Sequence, residues 1–282
     1  MATVGLLHPG EMGAAVGGCL VSVGHEVLWD PAGRSRATTG RALASELTGV
    51  GFERVIAKSS AIFSICPPHA ALDVARQVAD TGYSGLYIDA NAISVGTAEQ
   101  VAAIVTAGGA TYVDGGIIGP PPEVAGHTRF YLSGPHANEV RPLFSRSRLD
   151  ARIAEGPLYA ASSVKMAYAA WTKGSSALLL AARALARASG VERTLLAEWQ
   201  LSQPTLTAQS ERSASAAASK GWRWIGEMEE IAASMSAAGL PDGFHEAAAD
   251  LYDRASRADV PTGRKTATTA KETLDAIMSA LS

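Results

Sequence analysis

Three groups of residues have types and spacing suited to chemistry. The first is His8-Pro9-Gly10-Glu11-Met12-Gly13, which follows the apolar run Val4–Leu7 directly. It reads as G-x-G-x-x-G with His8 in place of the first glycine. The second glycine, Gly10, lets a backbone approach a pyrophosphate; the third, Gly13, lets a helix pack close to the preceding strand. A helix opening here offers the N–H groups of Glu11, Met12 and Gly13, and the positive end of its dipole, to phosphate. His8 must turn its side chain away from the phosphates or bond to them. The bland alternative is a glycine-rich turn with no ligand. The position after a first strand, and before a second one ending at Trp29-Asp30, favours a dinucleotide.

The second group would choose the dinucleotide. Asp30 lies about 20 residues past Gly10, where an acid bonds the ribose hydroxyls of NAD. Gly33-Arg34-Ser35-Arg36 follows at once. Arginine with a hydroxyl suits a 2′-phosphate through charge-assisted, bidentate bonds. The two signals conflict. NADP(H) is expected over NAD(H), because the acid can turn away while the loop arginines fold over the adenine. The alternative makes Arg34 and Arg36 solvated helix-start residues.

The third group centres on Lys165, whose neighbours Val164, Met166, Ala167, Ala169 and Ala170 are apolar or small. A lysine there either snorkels or is partly desolvated, and desolvation turns a lysine into a usable acid or base. Tyr168, Thr172 and Ser176 follow at i+3, i+7 and i+11, on the same helical face. A solvated edge with hydroxyls is the competing reading.

The elements that must position these groups change character along the chain. Short β-rich runs (Thr3–Leu7, Glu26–Trp29, Ala61–Ile65, Gly85–Ile88, Thr111–Val113, Arg129–Leu132) alternate with helical stretches (Met12–Val23, Arg34–Leu47, Ala70–Ala79, Thr97–Thr106). That alternation predicts an α/β Rossmann domain with a doubly wound parallel sheet over residues 1–157, its later strands forming an antiparallel extension. Beyond Gly156-Pro157 only helices are expected, giving an all-helical domain over 158–282. Ser162 or Ser163 would cap a long helix ending near Ser189, before Gly190. Further helices are expected over Thr194–Leu201, Thr207–Ser219, Trp224–Ala238, Phe244–Arg257 and Ala267–Leu281.

Composition limits the partners. The 282 residues are 47% hydrophobic and 18% charged, with net charge −3. No basic stripe suggests nucleic acid. Cys19 and Cys66 lack metal-ligand spacing, so no metal is expected, and a reducing compartment fits. No basic segment precedes the first apolar run, and no apolar run reaches the roughly 20 residues that span a bilayer. A cytoplasmic protein that makes no membrane contact is expected.

With these residues in place, the chain resembles the β-hydroxyacid dehydrogenase and imine reductase superfamily. It looks closest to the branch with a 6-phosphogluconate-dehydrogenase-like C-terminal domain. The resemblance rests on His-Pro-Gly-Glu-Met-Gly (8–13), Gly-Arg-Ser (33–35), Cys-Pro-Pro (66–68), Tyr-Ile-Asp-Ala-Asn-Ala (87–92), Val-Asp-Gly-Gly-Ile-Ile-Gly-Pro-Pro (113–121), Ser-Val-Lys-Met-Ala-Tyr (163–168) and Gly-Glu-Met-Glu-Glu-Ile-Ala (226–232). It implies that Cys66, Pro67 and Pro68 line the cofactor cleft and that Asn91 lies near the nicotinamide ribose. It further implies that Gly116 faces the nicotinamide, that Lys165 is catalytic, and that the helical domains intertwine in a homodimer.

The departures bear on substrate. Ile118 stands where the hydroxyacid dehydrogenases offer a serine to the substrate carboxylate. Ala169 replaces an asparagine, and Gly226-Glu227 aligns with a Lys-Asp pair. A carboxylate would lose charge-assisted bonds worth a few kcal/mol each. The expected substrate is therefore bulkier or less anionic than a small 3-hydroxyacid, and it meets Gly116, Ile118, Tyr168 and Thr172. Lys165 would exchange a proton with an alcohol or carbonyl while hydride moves to or from nicotinamide. Imine or iminium reduction is the nearer rival, and a non-catalytic NADPH-binding sensor or structural protein the other. His245 and Arg223 could each reach the site or serve packing. Trp222 and Trp224 default to packing, and Pro120-Pro121-Pro122 to a pocket wall or a surface turn. His127 and His136 receive no role.

Overall fold

The computed structural model describes residues 1–259 and 269–281. The chain divides into two compact units, Met1–Met166 and Ala167–Ser282.

In the first unit, β1 (Thr3–Leu6) leads through α1 (Glu11–Ser22) to β2 (Glu26–Trp29), then α2 (Arg36–Ala44), β3 (Thr48–Gly49), α3 (Phe52–Lys58) and β4 (Ala61–Ser64). After a 3₁₀ turn at Pro68–Ala70 come α4 (Ala71–Ala79), β5 (Leu86–Asp89), α5 (Val95–Ala107), β6 (Thr111–Ile118) and β7 (Arg129–Ser133). The short α6 (Ala137–Val140) and β8 (Asp150–Ile153) complete the sheet, and α7 (Ala160–Ala188) opens here and continues into the second unit. The strand order is β3-β2-β1-β4-β5-β6-β7-β8. Pairing is parallel from β3 to β6; β7 runs antiparallel to β6, and β8 is parallel to β7. The order reverses between β1 and β4, and ligands of open α/β sheets bind at such a switch point, outside the carboxyl ends of the strands.

Residues buried on both faces explain the apolar runs of the parallel strands. One face gathers Leu6, Val16, Leu20, Trp29, Phe63, Phe130 and Phe144, with Phe144 edge-on to Phe63 and Phe130 at 5.7 and 5.6 Å. The other gathers Ile62, Val74, Val78, Tyr87, Val101 and Val105. Gly5 admits α3 close to the sheet, since a Cβ there would stand 2.8 Å from Val55 Cγ1.

The Rossmann sheet and the antiparallel turn at β7 match the expectation, with differences. The short β3, α3 and β8 carry too little pattern to be read from sequence. The sixth strand does not stop at Val113 but runs on to Ile118. Gly115 and Gly116 are each a place where another element approaches the strand: a Cβ on Gly115 would lie 2.7 Å from Phe130.

The second unit contains the rest of α7, then α8 (Glu192–Ser202), α9 (Leu206–Ala237), α10 (Gly243–Ser256) and α11 (Ala270–Leu281). Two helices were expected over Thr207–Ser219 and Trp224–Ala238, but α9 is continuous through both. Gly221 does not end it; it lies buried against α10, where a Cβ would meet Tyr252 O at 3.3 Å. The Ala/Ser-rich segment before it packs with Ser210, Ser213, Ala214 and Ala217 buried. Arg183, 4% exposed, bonds Glu192 (2.9 Å) and Ser210 (2.6 Å); Arg187 bonds Glu192 and Asp275. The Arg183 partners offset the desolvation penalty of that buried cation. Of the helix expected from Ala267, residues 267 and 268 lie outside the described residues.

Candidate active site

The turn after β1 is built as its glycines require. Leu7 N–H bonds Phe63 O at 3.1 Å, tying the end of β1 to β4. Gly10 caps α1 with extended backbone and no side chain over the first turn. Space around its absent Cβ is open to 4 Å. The first intrahelical bond runs from Ala14 N–H to Gly10 O, so earlier amides have no partner within the helix. At Gly13 a Cβ would fall 2.1 Å from His8 O, which only glycine avoids. Together these leave the turn open at Gly10 and closely packed at Gly13, a geometry able to hold a phosphate.

His8 turns inward. Its Nδ1 is buried without a partner. Burial first, and the charge of Arg34 second, push its pKa down to about 4, so the imidazole is neutral at physiological pH. Arg34 lies back over the end of β1, donating from Nη2 to Leu7 O at 3.1 Å, with its Nε buried and unpartnered. Asp30 Oδ1 accepts from Ala32 N–H at 3.0 Å in a local turn. Gly33, at φ +69°, lets the chain reverse. Ser35 caps α2, accepting from Thr38 N–H at 3.2 Å.

At the carboxyl end of β4, Cys66 is buried and its thiol is pushed up to about 12 by desolvation; it is no nucleophile at neutral pH. Its N–H bonds Asn91 Oδ1 at 2.7 Å, and Asn91 Nδ2 donates to Ser64 Oγ at 3.2 Å. The Asn91 backbone N–H bonds Asp89 Oδ1 at 3.0 Å. Asn91, 2% exposed, thus laces the ends of β4 and β5 together. Pro67 begins, and Pro68 lies within, the 3₁₀ turn that follows.

The other half of the first unit's site forms where β6 meets α7. A Cβ on Gly116 would lie 2.6 Å from Ala161 O and 3.0 Å from Lys165 Cβ. The bare strand is therefore the seat of the helix that carries Lys165, itself half-buried. Ile118 is buried on the same strand.

Ser162 and Ser163 do not cap α7, which opens at Ala160. Ser163 Oγ instead donates to Tyr159 O. The capping groups are remote: Asp114 Oδ2 accepts from Ser162 N–H at 3.0 Å, Asp114 Oδ1 from Ser162 Oγ at 2.5 Å, and Ser133 Oγ from Ala161 N–H at 3.0 Å. No sequence signal marked Asp114 beyond its place in Val-Asp-Gly-Gly. Asp89, its register partner on β5, has Oδ2 buried and unpartnered. Burial above all, and the neighbouring Asp114 charge, raise the Asp89 carboxyl to about 7.

In the second unit, Tyr168 is exposed and Thr172 half-buried on α7. Thr172 Oγ1 donates to Tyr168 O and Ser176 Oγ to Thr172 O, so those hydroxyls bond their own helix. His245 is 5% exposed, with Nε2 at 3.4 Å from Ala170 O. Arg223 stacks over Trp222, 5.7 Å from the ring centre. Lys173, unremarked in the sequence, pairs with Glu227 and lies over Trp224 at 5.6 Å. Among the described residues no metal-binding cluster occurs, and no helix is long and apolar enough to cross a membrane.

The chain matches a domain of unknown function (DUF1932) over residues 186–255. Among curated proteins, none matches it. Among solved structures, it is similar to the conserved protein MTH1747 of unknown function, whose structure shows similarity with 3-hydroxyacid dehydrogenases. That match has a TM-score of 0.66 at 25% identity, covering 90% of this chain and 97% of the other. A 3-hydroxyisobutyrate dehydrogenase of Mycobacterium tuberculosis gives 0.67 at 18% identity over 90% and 93%. An imine reductase of Streptomyces aurantiacus gives 0.54 at 17% over 97% and 98%. The chain thus shares the fold of 3-hydroxyacid dehydrogenases and imine reductases, and its helical part carries the DUF1932 region.

Proposed function

We propose that the chain is an NADP(H)-dependent oxidoreductase acting on an alcohol or carbonyl substrate. Residues 1–157 would form the dinucleotide domain and 158–282 the substrate and dimerisation domain. The observation that carries this reading is Gly116 pressed against Lys165 Cβ, in the same unit as an open phosphate cradle at Gly10. When bound, the nicotinamide supplies or takes the hydride. The Gly10–Gly13 turn would hold the pyrophosphate. Arg34, whose Nε has no protein partner, would face the 2′-phosphate once it swings from Leu7 O, with Ser35 beside it. Asp30 Oδ1 is engaged with Ala32 N–H, and that local bond, with Arg34 and Ser35 beside it, supports NADP(H) over NAD(H).

Lys165 Nζ would give its proton to the carbonyl oxygen during reduction and accept it from the alcohol during oxidation. Ile118 supports a substrate with little anionic character at that point, because a carboxylate beside it would lose charge-assisted bonds. The same apolar residue favours a second reading, reduction of a cyclic imine. NADPH consumption against matched ketone and cyclic-imine panels separates the two: turnover of ketones supports the first, turnover of imines alone the second. Tight NADPH binding with no consumption in either panel would leave a non-catalytic binder.

A homodimer built on α7 is part of this reading. Trp171, Leu178 and Leu185 recur every seven residues and are 75%, 55% and 69% exposed. A stripe of that size belongs against a partner. The chain is read as a cytoplasmic protein with a small-molecule substrate.

A further inference from the structure

The first turn of α7 has no cap of its own. Two amides that would be orphans, those of Ala161 and Ser162, are satisfied from the sheet by Ser133 Oγ and Asp114 Oδ2. Asp114 also accepts from the Ser162 hydroxyl, and the Ser133 hydroxyl lies 2.7 Å from Asp114 Oδ2 and 2.8 Å from Leu158 O. Asp114, Ser133 and Ser162 are each 2% exposed or less. We infer that Asp114 is the positioning residue of Lys165, holding the first turn of α7 on Gly116 through Ser162 and Ser133. This rests on the proposed role of Lys165.

The geometry has two points of contact. Asp114 and Gly116 are two apart on β6, hence on one face of the sheet. Asp114 hooks Ser162; Gly116 lies bare under Ala161 and Lys165. Ser162 and Lys165 are three apart on α7 and share a helical face. A shift of the hooked turn therefore moves the lysine.

The charge is also placed for this. Of the neighbouring carboxyls, Asp114 accepts from Ser133, Ser162 Oγ and Ser162 N–H, whereas Asp89 accepts from Asn91 N–H through Oδ1 and has its Oδ2 buried and unpartnered. The negative charge of the pair belongs on Asp114, at the positive end of the α7 dipole. A clamp serving only the fold would need no particular relation to Lys165.

The test is Asp114→Asn in the full chain. Hydrogen exchange of the segment 158–166 and acetic anhydride labelling of Lys165, read by mass spectrometry, should both rise roughly fivefold, the scale of a lost helix cap. Labelling of the exposed Lys58 and Lys220 should not change, and NADPH fluorescence binding should persist. If Lys165 labelling follows that of Lys58 and Lys220, the inference is overturned. Should this variant fail to fold, Ser162→Ala deletes one hydroxyl donor and the same two readings decide. Lys165→Met with full turnover would remove the catalytic reading and leave the labelling result standing; unchanged labelling in Asp114→Asn would do the reverse.

Discussion

Single residues of this chain carry unusual constraints, and each gives a measurable consequence. Asp89 is buried with one oxygen unpartnered and ionises near 7 in the folded protein, against 3.8 ordinarily. Between those values the folded state binds a proton that the unfolded state has lost. Its contribution to stability is therefore full below about pH 4, and is lost as pH rises through about 7. Asp89→Asn keeps the acceptor for Asn91 N–H without the charge. Its melting temperature should match the parent near pH 4 and exceed it at pH 8; equal melting temperatures at both would refute the assignment. At Gly13 the missing Cβ would collide with His8 O. Gly13→Ala should weaken NADPH binding by tenfold or more, on the order of the 1–3 kcal/mol that overpacking costs, as titrated by cofactor fluorescence.

At the scale of elements, the sequence showed what periodicity and punctuation can show. Apolar runs marked β1, β2, β4 and β5, and the spacing of Gly10 and Gly13 marked the tight turn from β1 into α1. Remote pairing was hidden. Nothing local to Ser162 says that its partner is Asp114, 48 residues earlier, and nothing local to Gly115-Gly116 says that β7 and α7 lie against them. The gap left between the helices expected over Thr207–Ser219 and Trp224–Ala238 closed for the same reason, because Gly221 there admits a neighbour's backbone. Asn91 is expected near the nicotinamide ribose by resemblance alone, and nothing local to it announces that its amide also ties the end of β5 to β4. Gly116→Ala tests the seat of α7: a methyl group 2.6 Å from Ala161 O should lower stability by about 1–3 kcal/mol. It should also cut turnover with little change in NADPH affinity. Parent-like turnover would detach α7 from this seat.

For the whole molecule, the α/β-then-α plan was legible because the period of apolar residues switches after Pro157. Association was not legible in detail. The seven-residue recurrence of Trp171, Leu178 and Leu185 gained meaning only when each proved exposed on the same helix. Replacing Leu178 and Leu185 by Glu should convert a dimer to a monomer in analytical ultracentrifugation, since charges there oppose burial. A parent that already sediments as a monomer would exclude this interface.

The central claim is that Lys165, seated on Gly116, moves the proton of an NADPH-linked reduction. Lys165→Met, assayed on the best substrate from the ketone panel with NADPH affinity measured in parallel, tests it most directly. The account predicts a fall in kcat of roughly 10²–10⁴-fold, with cofactor affinity within about twofold of the parent. A variant that turns over at the parent rate would contradict it.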